Sequence, residues 1–440
     1  MPREAKPSIV GASPIRGGDI RARWAWVEPS VWTDRMLEAL ENGVKGGKWY
    51  SLMDKVYDLR NLEAAWDKVR RNRGAAGVDR QSIEKFGQRA EQHLLELRQA
   101  LKEGRYQPLP VLRKWIEKPG TTKRRPLGIP AVKDRVVQTA LRNVLEPIFE
   151  HEFGDMSHGF RPGRSAKDAL REVWKLLAAG YVWVVDADIQ SYFDTIVWDI
   201  LLHDIEEHVT DGRVLVLLES YLQQDVMDGM KQWKPTKGTP QGAVISPLLA
   251  NLYLHAVDQA LEATGLRVAR YADDLVILCR TEREATQALA LLRAEMAKRK
   301  LTLHPEKTRL VDATEQGGFD FLGYHFERGY RWPRKKSLHA LKDRIRKKTK
   351  RTNGTSLSCI IADLNRTLRG WFAYFKHSHC WTFERLDRWI RMRLRSILRK
   401  RAGGRGRGRG RDHQRWPNAF FVAHGLFTLA TAYEAARQSR

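Results

Sequence analysis

"RYADDLVILC" occupies residues 270–279. Two adjacent aspartates, Asp273 and Asp274, interrupt an otherwise apolar stretch. The flanks, Arg267–Tyr271 and Leu275–Cys279, are rich in β-branched and apolar residues and read as two short strands joined tightly at Ala272–Asp273. Asp is a common turn residue. A two-residue hairpin turn would ordinarily use Asn-Gly or Asp-Gly, however, and no glycine is present. Neighbouring carboxylates also repel, which raises the pKa of one of them unless a cation is shared. A divalent metal at the hairpin tip resolves both difficulties. Mg²⁺ suits the position because it takes one or two carboxylates plus substrate phosphates in preference to a full protein cage. Tyr-x-Asp-Asp is too short a pattern to stand alone, so the reading requires a second acidic strand.

Residues 181–194, "YVWVVDADIQSYFD", supply it. The run Tyr181–Val185 predicts a strand ending in Asp186 and Asp188, with Asp194 after a short gap. Two-metal phosphoryl transfer needs carboxylates from separate elements converging on a pair of ions. Asp188 from one strand and Asp273 from a neighbouring hairpin meet that need. Asp186 and Asp194 serve the same site, or else strand-end and helix N-cap positions.

The charge balance points to the partner. The 440 residues hold 78 Lys and Arg against 52 Asp and Glu, a formal net charge of +26. A merely solvated surface would mix signs, so the surplus implies a polyanion. It is concentrated late in the chain. Residues 331–351 carry eleven Lys or Arg and one Asp, and residues 385–411 carry twelve and again one Asp. In the second stretch Leu386, Trp389, Ile390, Leu394, Ile397 and Leu398 recur at helical spacing. The opposite face is arginine, with none of the glutamates that a solvated face interleaves. "GGRGRGRGR", 403–411, reads as a flexible segment able to wrap RNA. The three cysteines form no C-x-x-C and fit a reducing cytosol. "HSHC", 377–380, lacks a second ligand pair at finger-like spacing, so no zinc site is expected. No run of 18 apolar residues occurs, so no membrane span is expected.

Nine blocks then appear in a familiar order: "NLEAAWDKVRRNRGAAGVD", "RRPLGIPAVKDRVVQTALRNVLEPIFE", "SHGFRPGRSAKDAL", "DADIQSYFDTI", "KGTPQGAVISPLLANLYLHAVD", "RYADDLVIL", "LTLHPEKT", "FDFLGYHF" and "RTLRGWFAYFKHS". In these, from about residue 52 to about residue 430, the chain resembles a group II intron-encoded reverse transcriptase, or maturase, of bacterial type without the C-terminal endonuclease domain. The resemblance implies an α+β right-hand polymerase with helical fingers, an antiparallel-sheet palm and a basic helical thumb. The expected divisions are a flexible lead over 1–33, fingers with an N-terminal extension over 34–180, a palm over 181–330, a thumb or X domain over 331–402, and a Gly/Arg-rich tail over 403–440. Within the lead, Trp24 and Trp26 are candidates for docking.

The resemblance also implies roles, residue by residue. Asp188 and Asp273 would hold two Mg²⁺ ions (Mn²⁺ being a possible substitute), with the Ile189 carbonyl as a further ligand and Asp274 as a secondary ligand or electrostatic support. Lys118 and Arg125, on opposite arms of a 112–130 hairpin, would meet the dNTP triphosphate, or else template phosphate. Lys123 and Arg124 are alternatives in either role. Gln241 would lie beside the nucleotide and its ribose. Phe193 would stack under the sugar and exclude a 2′-hydroxyl, or else pack in the core. Arg161 would contact substrate, or else serve a structural turn. Arg334, Lys335, Lys336, Arg344, Lys347, Lys348, Arg391, Arg395, Arg399, Arg405, Arg407 and Arg409 would track nucleic acid. The implied partners are the parent intron RNA, a DNA target or primer and dNTPs, in a bacterial cytoplasm, with monomer and dimer both open. A splicing cofactor with an inactive polymerase, and reverse transcriptases of retron or diversity-generating type, are the alternatives.

Overall fold

The computed structural model describes residues 17–44, 46–117 and 124–438. Lys118 and Lys123 lie outside them. Among the described residues the fold is α+β, with three antiparallel or mixed sheets among helices. The strands are β1 (Val111–Glu117), β2 (Arg124–Ile129), β3 (Trp183–Asp188), β4 (Val226–Asp228), β5 (Lys231–Trp233), β6 (Arg267–Tyr271), β7 (Asp274–Cys279), β8 (Arg309–Asp312), β9 (Phe319–Phe321), β10 (Tyr324–Glu327) and β11 (Tyr330–Pro333). One sheet runs β6-β7-β3-β8 with every pair antiparallel. A second runs β2-β1-β4-β5, and a third β11-β10-β9.

The helix Val132–Glu152 shows why the core lies where it does. It buries residues on every side, as a helix enclosed by protein must. Pro147 stands inside it and has no N–H to give the carbonyl four residues back. That carbonyl, on Asn143, receives the indole N–H of Trp32 at 3.0 Å. Trp32 is fully buried and meets Trp49 edge-on, with ring centroids 5.4 Å apart.

Residues 17–33 are therefore not the flexible lead that their composition suggests. They form the helix Gly17–Arg23, whose Ile20 enters the main core, and a following segment whose Trp24, Val27 and Val31 enter it too. Trp24 docks, donating to Glu41 at 2.7 Å. Trp26 packs partly against the same core. Ile20, Trp24, Val27 and Val31 recur at helical spacing, but the helix itself ends at Arg23, and the prolines, glycines and charges around these four anchors mask the pattern.

The C-terminal boundary also shifts. Residues past 402 build the helices Arg411–Arg415, Asn418–Ala423 and Leu429–Gln438. Trp416, Phe421, Leu426 and Leu429 share one core with Leu341, Ile360, Leu386, Ile390 and Leu394. The Gly/Arg segment is folded back. The Gly408 N–H donates to Ser396 Oγ at 3.3 Å, and a Cβ on Gly408 would lie 2.7 Å from that of Arg395. The first core-facing aromatic of this region lies beyond the glycines, which is why the segment reads as a free tail.

Trp32→Ala should cost about 3–5 kcal/mol of stability in urea denaturation, the usual toll of deleting a buried Trp. Trp32→Phe should cost about 1–3 kcal/mol, because it restores the ring but orphans the Asn143 carbonyl.

Candidate active site

β3 begins at Trp183, two residues later than the sequence suggests, and continues through Asp188. Tyr181 instead follows a helix end, its N–H bonded to the Leu176 carbonyl at 3.1 Å. Asp186 and Asp188 thus lie within the strand and share one face. Across the ladder Asp188 stands directly opposite Asp274, and the hairpin tip sets Asp273 beside them.

The tip is shaped from below. Arg270, the residue before the Tyr-x-Asp-Asp run, is fully buried. Its guanidinium donates to Asp258 Oδ1 at 2.8 Å, to Asn251 Oδ1 at 3.0 Å and to the carbonyl of Ala272 at 3.0 Å. Ala272 adopts φ +59°, the left-handed conformation that glycine would take without strain. The segment before Gly159 runs alongside β6, with Arg270 N–H on the Met156 carbonyl at 2.8 Å and His158 N–H on the Arg270 carbonyl at 2.9 Å. A Cβ on Gly159 would sit 2.3 Å from the Ala272 nitrogen, so only glycine allows this approach.

Electrostatics follow from the crowding. Burial, then the charges of Asp273 and Asp188, push Asp274 up to about 6. The surrounding protein is dense although the Asp274 side chain keeps an exposed edge, so solvent screens part of that effect. Burial, with Asp188 adding, also raises Asp273. Burial raises Asp186 despite Arg309 at 2.9 Å. Lys307 Nζ meets Asp188 Oδ2 at 2.9 Å. Sequence reading missed Lys307, although it lies in the quoted "LTLHPEKT" block just before a strand beside β3. His304 N–H caps the Asp188 carbonyl at 2.7 Å, and Ile189 is bridged to Leu303. Among the described residues no group of three or more His, Cys, Asp or Glu side chains stands in metal-holding geometry. The donor chemistry nevertheless fits a divalent cation, which would relieve the repulsion that Asp273 and Asp274 register.

Phe193 and Gln241 come together through backbone. Tyr192 is buried and donates to the Ala250 carbonyl, whereas Phe193 is only half-buried. The Phe193 carbonyl receives Thr239 N–H at 2.8 Å, and a Cβ on Gly238 (φ +86°) would lie 2.8 Å from that same oxygen. The Gln241 carbonyl receives Gly128 N–H at 2.6 Å, which ties the loop to β2. Arg125 stands exposed on β2 opposite Ile116.

Arg161 is engaged within the protein. Its guanidinium is paired with Glu150 at 2.8 Å and donates to the carbonyls of Ser157 and Phe153 at 2.8 and 3.0 Å. Every donor is used inside the segment that supports the hairpin tip, which is the structural-turn role.

The basic set divides as well. Lys335, Lys336, Arg344, Lys347, Arg405, Arg407 and Arg409 are exposed. Arg391 is half-exposed, and Lys348 is held by Asp363 at 2.6 Å. Arg334 lies close enough for its charge to favour ionised Asp274, and its Nε is buried without a partner among the described residues. Arg395 is buried, donating to the Trp416 carbonyl at 2.8 Å and Asn418 at 2.8 Å. Arg399 binds Asp412 at 2.5 Å and the Arg405 carbonyl at 2.8 Å. Arg395 is thereby withdrawn from the open face, whereas Arg399 stays partly exposed while paired with Asp412 and the Gly/Arg segment.

Arg270→Met should lower stability by about 3–5 kcal/mol, because Asp258 is left as an unpaired buried charge. Adding Asp258→Leu should recover most of the loss in the same denaturation experiment. Asp274→Asn should stabilise the metal-free protein in a pH-dependent way. A carboxyl whose folded pKa is raised costs nothing below its ordinary value of 3.8, and its penalty is complete above about 6. The gain from Asp274→Asn should therefore grow between pH 4 and 7 in thermal melts with chelator, to about 1 kcal/mol after solvent screening.

Known proteins resemble this chain in both of its halves. Residues 116–326 match the family described as reverse transcriptase (RNA-dependent DNA polymerase), and residues 338–416 match the group II intron, maturase-specific domain. Protein YkfC of Escherichia coli is 30% identical over 349 residues, which cover 70% of this chain and 86% of that protein. The group II intron-encoded protein LtrA of Lactococcus lactis is 38% identical over 197 residues, covering 44% of this chain and 32% of LtrA, so this chain spans about a third of that relative. Among solved structures, a chain of a partial Cas6-RT-Cas1–Cas2 complex is 25% identical, covering 57% of this chain and 43% of that one at a TM-score of 0.37. No helix of the described residues is long and apolar enough to cross a membrane. With both halves matched in order and most of one relative covered, the chain belongs to the family of group II intron-encoded reverse transcriptases and maturases.

Proposed function

We propose that this protein copies RNA into DNA from dNTPs at the Asp188–Asp273–Asp274 site, and that it binds its parent intron RNA to assist splicing and mobility. The observation that carries the reading is the rung pairing Asp188 with Asp274, beside Asp273 on a tip held rigid by Arg270. Three carboxylates at the junction of two antiparallel strands suit a pair of Mg²⁺ ions. The chemistry bound divalent ions supply there is charge stabilisation of the attacking and departing oxygens. The chain's own groups hold and orient. Asp188 and Asp273 fix the position of the cations, and Asp274 adds negative charge behind them. Arg125 and Lys118 meet the triphosphate, Gln241 lies along the nucleotide, and Phe193 fills the space a 2′-hydroxyl would need. In this reading β1 and β2 belong to the fingers, the sheet of β6, β7, β3 and β8 belongs to the palm together with β4 and β5, which extend the fingers sheet from the palm segment, and the helices from Lys335 onward form the thumb. The cytoplasm of a bacterium fits such a partner set.

Asp273→Ala should abolish extension of a DNA primer on an RNA template, a loss of at least about three orders of magnitude given the weight of electrostatic stabilisation in such reactions. Intron RNA binding, measured by filter retention, should stay within about twofold, because the basic helices are untouched. Retained extension would sink the site assignment. A wild-type protein that binds intron RNA but never extends would instead favour a splicing cofactor with an inactive polymerase.

A further inference from the structure

Where β10 and β11 meet the helices Lys335–Lys348 and Cys380–Arg401, the protein holds an open cavity of about 690 Å³. Its walls include Tyr330, Trp332 and Trp381, and its apolar lining includes Leu338 and Leu386. Trp381 is 64% exposed and Tyr330 54%, so two large aromatic faces are left to solvent at one concave place. The His379 ring meets both edge-on, at 5.1 Å from Tyr330 and 4.8 Å from Trp381, and braces them. Arg328, Lys342 and Arg385 also line it. The one carboxylate of the lining, Glu327, is engaged by His325 Nε2 at 3.1 Å. The cavity is therefore lined by aromatics and cations together, and shares no residue with the carboxylate site.

We propose that this cavity seats an unpaired nucleobase of single-stranded RNA, stacked on Trp381 and Tyr330, with the flanking phosphates on Arg328, Lys342 and Arg385. The inference rests on the RNA-binding reading above and deepens it by assigning a base-stacking subsite. Exposed aromatic faces gain from any planar base, and cations beside them match the backbone that must enter and leave. A partner offering only apolar side chains to the walls would have no use for the three cations among them. Lys342, Trp381 and Arg385 all fall within residues 338–416, the maturase-specific match, which favours RNA over DNA.

The test uses the full chain with its polymerase cleft filled by a primer–template duplex, and a short unstructured oligoribonucleotide carrying 2-aminopurine. Binding should quench the 2-aminopurine, as stacking on indole does. Trp381→Ala should weaken binding roughly 5- to 150-fold, the range for loss of one base stack, with the salt dependence unchanged. Trp381→Phe should keep most of the affinity. Arg385→Gln should instead reduce the slope of log affinity against log salt by about 0.7. Replacing the bases by abasic residues should mimic Trp381→Ala. Equal affinity of wild type and Trp381→Ala, with equal melting temperatures, would overturn the proposal while a steep salt slope left general RNA binding intact. Loss of any salt-dependent affinity in wild type would sink the underlying reading instead. DNA of the same sequence should bind more weakly, and equal binding with equal dependence on Trp381 would overturn the assignment to RNA.

Discussion

The guanidinium of Arg270, closed off from water directly beneath the turn it shapes, links the two halves of the site. A buried cation is tolerable only when its donors are matched, and here the matching groups come from Asp258 and Asn251 on one helix and from the Ala272 carbonyl. That last bond fixes the backbone of the tip. Ala272 is thereby held at positive φ, and Asp273 and Asp274 are presented without freedom to collapse onto other donors. Gly159 closes the same turn from the other side, and its carbonyl receives Asn251 Nδ2 at 2.7 Å. A tip carrying two repelling carboxylates would otherwise relax, so the strain is stored by groups that have nowhere else to go.

The same economy of contact joins the sheets. The loop Gly238–Gly242 passes so close to Phe193 on one side and to Gly128 on the other that side chains at its glycines would collide with backbone. Gly238 O also accepts the indole N–H of Trp198 at 2.7 Å. Gln241 is thus positioned by main-chain bonds at both ends. The half-buried ring of Phe193 and the exposed arm of Arg125 belong to one connected frame, not to three independent elements.

In the C-terminal helices the excess of positive charge serves two purposes. Arg395 turns inward and the partly exposed Arg399 staples the Gly/Arg segment and Asp412, while Lys335, Lys336, Arg344 and Lys347 stay at the surface. The lone acid of the second basic run is equally committed. Asp387 is buried and accepts the N–H groups of Leu429 and Ala430 at 3.1 and 2.9 Å, capping the last helix. A nearly acid-free face is therefore only partly a surface for phosphate. Some of it replaces the capping that carboxylates and water would otherwise give.

Strands around Asp188 and Asp273, the helical pattern from Leu386 to Leu398 and the hairpin either side of residues 118–123 were legible in the sequence. Their periodicity and their turn chemistry are local. So was the set of carboxylates, since two acidic pairs on apolar strands have few other uses. What no local pattern contains is the identity of each partner. Whether Arg161 meets a nucleotide or Glu150, whether Arg395 meets RNA or the Trp416 carbonyl, and whether Lys307 reaches Asp188 all depend on segments far apart in the chain. Trp32 could be read only as an aromatic in a disordered-looking lead until Pro147, more than a hundred residues away, left a carbonyl for it. Sequence determined which chemistry the chain carries, because residue type sets charge, donors and turn propensity. Tertiary structure alone decided which of those charges remain free, because a buried carbonyl or carboxylate claims the nearest donor before any ligand arrives.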